Sequence, residues 1–125
     1  MEDEAIGTLV VDCAVKVHTA LGAGLLESAY EACLAHELER SGLEVKRQVP
    51  MPVQYDDMEL DIGYRVDMFV NDRVIVELKA VEKLLPIHTA QLLTYLKLSR
   101  LRLGFLLNFN VEHMKHGVKR VVNGY

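Results

Sequence analysis

The segment from Arg73 to Ala80, RVIVELKA, is an apolar run that two charged residues interrupt. Its β-branched residues and its alternation of period two predict a β-strand. The alternation places Glu77 and Lys79 on one face of that strand, roughly 7 Å apart along it. Burying charged groups costs free energy unless they are paired or bind a metal. The segment therefore predicts either a solvated sheet face or a functional site.

A second acid lies on the strand predicted just before this segment. Asp67 interrupts an alternating stretch at positions 60–70. Residues that lie opposite each other on antiparallel strands point to the same face of a sheet. A three-residue loop, Asn71-Asp72-Arg73, sets Asp67 opposite Glu77, whereas a two-residue loop sets it opposite Val76. A site shared by the two carboxylates requires both on one face, so we predict the three-residue loop or an equivalent bulge.

Two interpretations of these charges are open from the residues alone. In the first, the face is the wet side of a sheet, and Glu77 and Lys79 form a surface ion pair. In the second, Asp67 and Glu77 hold a hard divalent cation, while Lys79 steadies a water molecule or a phosphate. Carboxylate oxygens are suitable ligands for Mg²⁺.

The rest of the chain is predicted to complete a single domain over residues 1–125. Helical spacing of apolar residues predicts two helices, at about 6–20 and 26–38, on either side of Gly22-Ala23-Gly24. The later elements are predicted as strands at 43–53, 60–70 and 73–80, a helix at 87–100 after Pro86, and strands at 103–109 and 118–122. Pro50 and Pro52 place the first strand at a sheet edge or give it a bulge. The order ααβββαββ predicts an α/β (α+β layered) fold with a mixed central sheet flanked by helices.

The composition is that of a folded, acidic chain. Half of its 125 residues are apolar, and 18 acidic against 14 basic residues give a net charge of -4. This balance excludes a histone-like protein that binds nucleic acid by overall charge. Residues 1–63 carry a charge of -9 and residues 64–125 carry +5. The bases of the second half form either a phosphate-facing surface or a dispersed set, and they include Lys83, Lys97, Arg100, Arg102, Lys115, Lys119 and Arg120.

Three further features limit the classes of protein to which this sequence can belong. No apolar run approaches the ~20 residues of a membrane span, and the acidic N-terminus differs from a secretory signal, so we expect a cytoplasmic protein without membrane contact. Cys13 and Cys33 lie in apolar helical patterns, which predicts buried free thiols. His113 and His116 lack the partners of a zinc site and are expected in a loop or at the surface.

The order of the charged residues resembles that of a known group of nucleases. Glu27 on a helix, Asp67 on a strand and Glu77-Leu78-Lys79 on the next strand are similar to the motif of the PD-(D/E)XK nuclease superfamily. Gln91-Leu92-Leu93-Thr94-Tyr95 resembles the Gln-x-x-x-Tyr motif of its RecB-type exonucleases. More narrowly, Gly24-Leu25-Leu26-Glu27-Ser28-Ala29-Tyr30 is similar to the signature of the GxxExxY proteins. The resemblance covers nearly the whole chain and implies a restriction-endonuclease-like core. One departure is Val66, which precedes Asp67 where the superfamily name has proline, a position that varies among members.

The resemblance implies a Mg²⁺ site, in which Mn²⁺ can substitute. Its ligands would be Asp67, Glu77, the backbone carbonyl of Leu78, and Glu27. Lys79 would orient the attacking water or stabilise developing negative charge, so that Glu27, Asp67, Glu77 and Lys79 form the expected catalytic set. For Glu27 the alternative is an exposed helix acid that pairs with a nearby base.

Supporting or substrate-binding roles are expected for Gln91, Tyr95, Tyr30 and His18. Gln91 and Tyr95 are four residues apart and share a helix face. There they orient Lys79, contact substrate, or pack against the sheet. His18 precedes the glycine-rich turn beside Glu27, at the expected edge of the site.

The sequence thus predicts a metal-dependent nuclease that hydrolyses phosphodiester bonds, with DNA favoured over RNA as the substrate. The alternative is a non-catalytic nucleic-acid-binding or assembly module that retains the nuclease fold. A third hypothesis is a metal-dependent hydrolase of small phosphate esters. Because a domain of this size offers little surface for substrate specificity, a homodimer or an accessory protein partner is compatible with the first two.

Overall fold

The computed structural model describes residues 1–124, which form three α-helices, seven β-strands and a short 3₁₀ turn at Met114–His116. The helices are α1 (Asp3–Leu21), α2 (Glu27–Arg40) and α3 (Pro86–Ser99). The strands are β1 (Val45–Pro50), β2 (Val53–Tyr55), β3 (Met58–Leu60), β4 (Arg65–Val70), β5 (Val74–Lys79), β6 (Leu103–Asn108) and β7 (Val118–Val122).

Five of these strands form the central sheet, in the spatial order β1-β4-β5-β6-β7. β5 and β6 are parallel, and the other neighbouring pairs are antiparallel. Parallel neighbours need a crossover connection, and α3 supplies it. The mixed central sheet flanked by helices and the predicted order ααβββαββ are therefore confirmed for this sheet.

The prediction missed a two-stranded hairpin between β1 and β4. The predicted strand at 43–53 is wrong in extent: β1 ends at Pro50, and β2 pairs instead with β3 in a separate hairpin that turns at Asp56-Asp57. β1 pairs with β4 as far as Pro50, and Pro52, which has no N–H to donate to a ladder, separates β1 from β2. The predicted start of the next strand at position 60 is also wrong, because Gly63, at a φ of 88°, lies between β3 and β4. β1 is an edge strand, as the prolines indicated.

Helices cover both faces of the sheet. α1 and α2 pack with alternate residues of β5, Val74, Val76 and Leu78, in one core cluster. Ile75, on the opposite face, packs with α3 in the second cluster. By the alternation of side chains along a strand, Glu77 and Lys79 leave β5 on the side of Ile75. All six residues of β6 are buried, as predicted for an apolar run between two layers.

The remaining predictions concern exposure. Cys13 is buried as predicted, Cys33 is only half-buried, and both are free thiols. His113 and His116 are exposed, which confirms the surface interpretation. Among the helices within residues 1–124, none is both long and apolar enough to cross a membrane.

Candidate active site

The loop between β4 and β5 has the predicted length. Val70 pairs with Val74, so that three residues, 71–73, connect the strands. Asn71 and Asp72 adopt left-handed φ values of 53° and 52°, a conformation that Asn and Asp tolerate better than most residues. In this register the position opposite Asp67 is Glu77.

Asp67 and Glu77 are interlocked where the backbone ladder of β4 and β5 ends. The last described pair of that ladder is Met68 with Val76. Beyond it, the Asp67 backbone N–H donates to Glu77 Oε2 at 2.7 Å, and the Leu78 N–H donates to Asp67 Oδ2 at 2.9 Å. Each carboxylate thus satisfies a backbone donor on the neighbouring strand. This reciprocal pair of bonds holds the two acids together.

The interpretation of Glu77 and Lys79 as a surface ion pair is wrong. Glu77 is only 4% exposed. Lys79, at the end of β5, is half-buried and forms no ion pair within residues 1–124. Its position in the register is next to Asn108 of β6.

Burial and mutual repulsion disfavour the charged forms of the two acids. Burial, followed by the negative charge of Asp67, raises the pKa of Glu77 to about 8. Burial also raises the pKa of Asp67, and the hydrogen bonds from Leu78 and Gln48 oppose that rise. The positive charge of Lys79 favours ionisation of both acids. A bound cation would relieve the remaining excess of negative charge.

Glu27 is the first residue of α2 and reaches the end of β5. Its Oε2 accepts a hydrogen bond from the Ala80 backbone N–H at 3.0 Å. The alternative for Glu27 was an ion pair with a nearby base. Within residues 1–124, Glu27 forms no ion pair. The Glu27 carboxylate is therefore held at the backbone of Ala80, the residue that follows Lys79.

Tyr30 fixes the turn that leads into α2. It is fully buried, its hydroxyl donates to the Gly22 carbonyl at 2.6 Å, and the Leu25 N–H donates to that hydroxyl at 3.1 Å. Its ring stacks on Phe109 with centroids 4.5 Å apart. Tyr30 thus supports the start of α2, and with it the position of Glu27.

Tyr95 of α3 packs in the core cluster that contains Ile75 of β5, on the side of the sheet from which Glu77 projects. Burial first, and then the charges of Glu77 and Asp67, raise the pKa of Tyr95 to about 12. Its side chain is 5% exposed. Gln91 lies one turn earlier on the same helix face and is half-buried.

Two further residues hold the loops around the end of the sheet. The Asn108 amide holds the loop after β5, because its Oδ1 accepts from the Val81 N–H at 3.1 Å and its Nδ2 donates to the Val81 carbonyl at 2.9 Å.

His18 is buried, and its Nε2 donates to the Val111 carbonyl at 2.7 Å. The structure therefore places His18 against the loop after β6, in contact with that loop instead of with the carboxylates.

The sequence analysis missed a buried acid on α2. Glu31 is 7% exposed, and its carboxylate accepts hydrogen bonds from Arg47 Nε at 3.0 Å and from Gln48 Nε2 at 2.6 Å. Gln48 Nε2 also lies 3.2 Å from Asp67 Oδ1. The spacing of Glu31, four residues after Glu27, places both acids on one helix face and could have indicated it.

Three arginines in the basic half of the chain pair with acids of α1. Arg102 and Arg120 both pair with Glu4 of α1. Arg73 pairs with Asp3 at 2.7 Å. Part of the positive charge of residues 64–125 is therefore neutralised by the acidic N-terminal helix.

The carboxylates of Asp67 and Glu77 are suitable ligands for a hard cation, although the protein side chains alone do not form a complete coordination shell. Within residues 1–124, no three His, Cys, Asp or Glu side chains are grouped so that they could hold a metal ion. Mg²⁺, however, is bound in many enzymes by one or two carboxylates, with water and substrate phosphates completing its shell. The adjoining acids Asp67 and Glu77 fit that mode of binding.

Comparisons with known proteins agree with this arrangement at the level of the superfamily. A family model described as the PD-(D/E)XK nuclease superfamily matches residues 4–121. No curated protein and no solved structure gives a significant match. The matched span contains the mixed sheet, the interlocked Asp67 and Glu77, and Lys79 two residues further along β5. By this match over almost its entire length, the chain belongs to the PD-(D/E)XK nuclease superfamily.

Proposed function

We propose that this protein is a Mg²⁺-dependent nuclease that hydrolyses phosphodiester bonds in DNA. The observation that carries the proposal is the reciprocal hydrogen bonding of Asp67 and Glu77 at the end of the β4–β5 ladder. This hydrogen bonding fixes the two acidic side chains next to each other, and Lys79 lies on the same strand as Glu77. Membership of the superfamily supports a nuclease-type activity.

Asp67, Glu77 and the backbone carbonyl of Leu78 would hold the ion, and Glu27 would complete the set from α2. When bound, Mg²⁺ supplies Lewis-acid stabilisation of charge at the phosphate and lowers the pKa of water. Mn²⁺, which shares the preference for oxygen ligands, would substitute for it.

Lys79 is proposed to act on the attacking water and on the phosphate. Its ammonium group has no carboxylate partner within residues 1–124, so it remains available for an anion. A positive group placed where negative charge develops lowers the barrier of the reaction. Tyr95 and Gln91 would support this side of the site from α3.

DNA is proposed as the substrate because the motif order is similar to that of restriction endonucleases and RecB-type exonucleases. The acidic chain is consistent with binding through a local site instead of a broad basic surface. A homodimer or an accessory protein would extend the small surface available for substrate specificity.

We expect purified protein to cleave labelled DNA only when Mg²⁺ or Mn²⁺ is present, and EDTA to abolish the cleavage. The measurement is a gel assay on single- and double-stranded DNA and RNA of matched sequence. Lys79→Met, which removes the charge and keeps most of the side-chain volume, should reduce the rate by about 100-fold or more. Lys16→Met, at an exposed lysine of α1 that pairs with Glu37, is the matched control and should leave the rate unchanged.

Cleavage that persists in EDTA, or that Lys79→Met leaves intact, would contradict the proposal. Cleavage of RNA alone would overturn the choice of DNA. Nucleic-acid binding without metal binding and without cleavage would favour the non-catalytic module. Hydrolysis of nucleotides but not of oligonucleotides would favour a small phosphate ester as the substrate.

A further inference from the structure

A chain of hydrogen bonds links α2 to Asp67 through the edge strand of the sheet. Gln48 of β1 directs its Nε2 to two carboxylates, Glu31 Oε1 at 2.6 Å and Asp67 Oδ1 at 3.2 Å. An amide nitrogen carries two hydrogens and can donate one to each acid. Gln48 therefore bridges the two acids, Glu31 and Asp67, through a single amide nitrogen.

Glu31 is itself held in place from both sides. Its second oxygen accepts from Arg47 Nε at 3.0 Å, and the side chain of Glu31 is only 9% exposed. A buried carboxylate is stable when it is paired and hydrogen-bonded, and Arg47 and Gln48 supply both conditions. The Glu31 carboxylate is thus a fixed acceptor, to which the flexible side chain of Gln48 is tied.

The backbone of Gln48 is strained at this position. Its φ of 52° lies in the left-handed region, although Arg47 and Val49 on either side keep their pairing with β4. Residues other than glycine rarely adopt this conformation, and strained residues cluster at functional sites. Glycine would adopt this backbone conformation freely. The presence of glutamine instead of glycine therefore indicates a role for the side chain of Gln48.

We propose that Gln48, anchored by Glu31, is a positioning residue that orients the Asp67 carboxylate for its role in the site. Leu78 N–H fixes Oδ2 of Asp67 from one side, and Gln48 fixes Oδ1 from the other. Partners that orient metal-binding carboxylates commonly change metal affinity or activity by 10- to 100-fold when they are removed. The inference rests on the proposed function.

The test uses Gln48→Gly, because glycine relieves the backbone strain and removes the amide. We expect its affinity for Mn²⁺, measured by calorimetry on the full chain, to fall by about tenfold. The cleavage rate kcat should fall by a similar factor, with KM for the oligonucleotide unchanged. Gln54→Gly, at an exposed glutamine of β2, is the matched control and should retain the wild-type Mn²⁺ affinity. Circular dichroism should show folded protein in every case.

A double-mutant cycle tests whether Gln48 acts through Glu31. Glu31→Gln alone should weaken Mn²⁺ binding, and adding it to Gln48→Gly should cause little further loss. A Gln48→Gly protein that binds Mn²⁺ as tightly as the wild type, or fully additive losses in the double variant, would overturn this inference. The proposed function would still stand in either case, as long as the wild-type protein itself binds Mn²⁺. A wild-type protein that binds no Mn²⁺ would overturn both. If Gln48→Gly does not fold, Gln48→Met, which keeps most of the side-chain volume and removes the amide, gives a second comparison for the loss of this hydrogen bond.

Discussion

Glu77→Gln is expected to reduce DNA cleavage by at least about 100-fold while the protein stays folded. Glutamine can still accept the hydrogen bond from the Asp67 N–H, which Glu77 Oε2 accepts at 2.7 Å. It removes the negative charge that the proposed Mg²⁺ site needs. The measurement is the initial rate of cleavage of a labelled oligonucleotide at saturating Mg²⁺.

Glu59→Gln is the matched control for this change. Glu59 is an exposed acid of the β2–β3 hairpin, and its replacement should leave the rate within about twofold of wild type. A Glu77→Gln protein that cleaves DNA at the wild-type rate would exclude Glu77 from the active site. A loss of the same size in Glu59→Gln would show that the assay responds to overall charge instead of to the site.

The stability of the metal-free protein is expected to fall as the pH rises from about 6 to about 8, owing to Glu77. Burial and the charge of Asp67 raise the pKa of Glu77 to about 8 in the folded state, from an ordinary value of 4.5. Over this range the unfolded chain has already released the proton that the folded chain retains. The free energy of unfolding should therefore drop by up to about 1.4 kcal/mol per pH unit and level off above the folded-state pKa.

Urea unfolding in EDTA across this pH range measures the effect. Glu77→Gln carries no titrating group at this position, so its stability should decline less steeply than that of the wild type. A saturating concentration of Mn²⁺ should also flatten the wild-type profile, because a bound cation favours the ionised carboxylate. Equal slopes in the wild type and in Glu77→Gln without metal would mean that Glu77 is not the source of the pH dependence.

The sequence was sufficient to predict the order of helices and strands along the central sheet because these signals are local. The alternation at 73–80, the continuous apolar run of β6 and Pro86 at the start of α3 each report the environment of their own segment. The loop length followed from a chemical argument, since only a three-residue loop sets Asp67 opposite Glu77. The register of β4 and β5 confirms that loop.

The β2–β3 hairpin was missed because its alternation continues that of its neighbours. Val53 and Leu60 continue the parity of the apolar residues in the adjoining predicted strands, and they pair with each other in the hairpin. Parity alone cannot show that a strand leaves one sheet and joins another. Pro52, the Asp56-Asp57 pair and Gly63 were the local signs of the interruption.

Glu31 and Gln48 were missed for a different reason. Their roles depend on contacts between α2, β1 and β4, which lie far apart in the sequence. The left-handed backbone of Gln48 is also imposed by its surroundings, since glutamine has no intrinsic preference for that conformation. Side-chain networks that join several elements are therefore the part of this site that a single sequence conceals.

A crystal structure of the protein soaked with Mn²⁺ would test the central claim most directly. We expect an anomalous difference peak at the Asp67–Glu77 pair, within coordination distance of an oxygen from each carboxylate, with the Leu78 carbonyl as a further ligand. The same crystal would show whether Glu27 reaches the ion. A fully occupied Mn²⁺ site elsewhere, with the Asp67–Glu77 pair unoccupied, would contradict the assignment of this pair as the metal-binding centre of a nuclease.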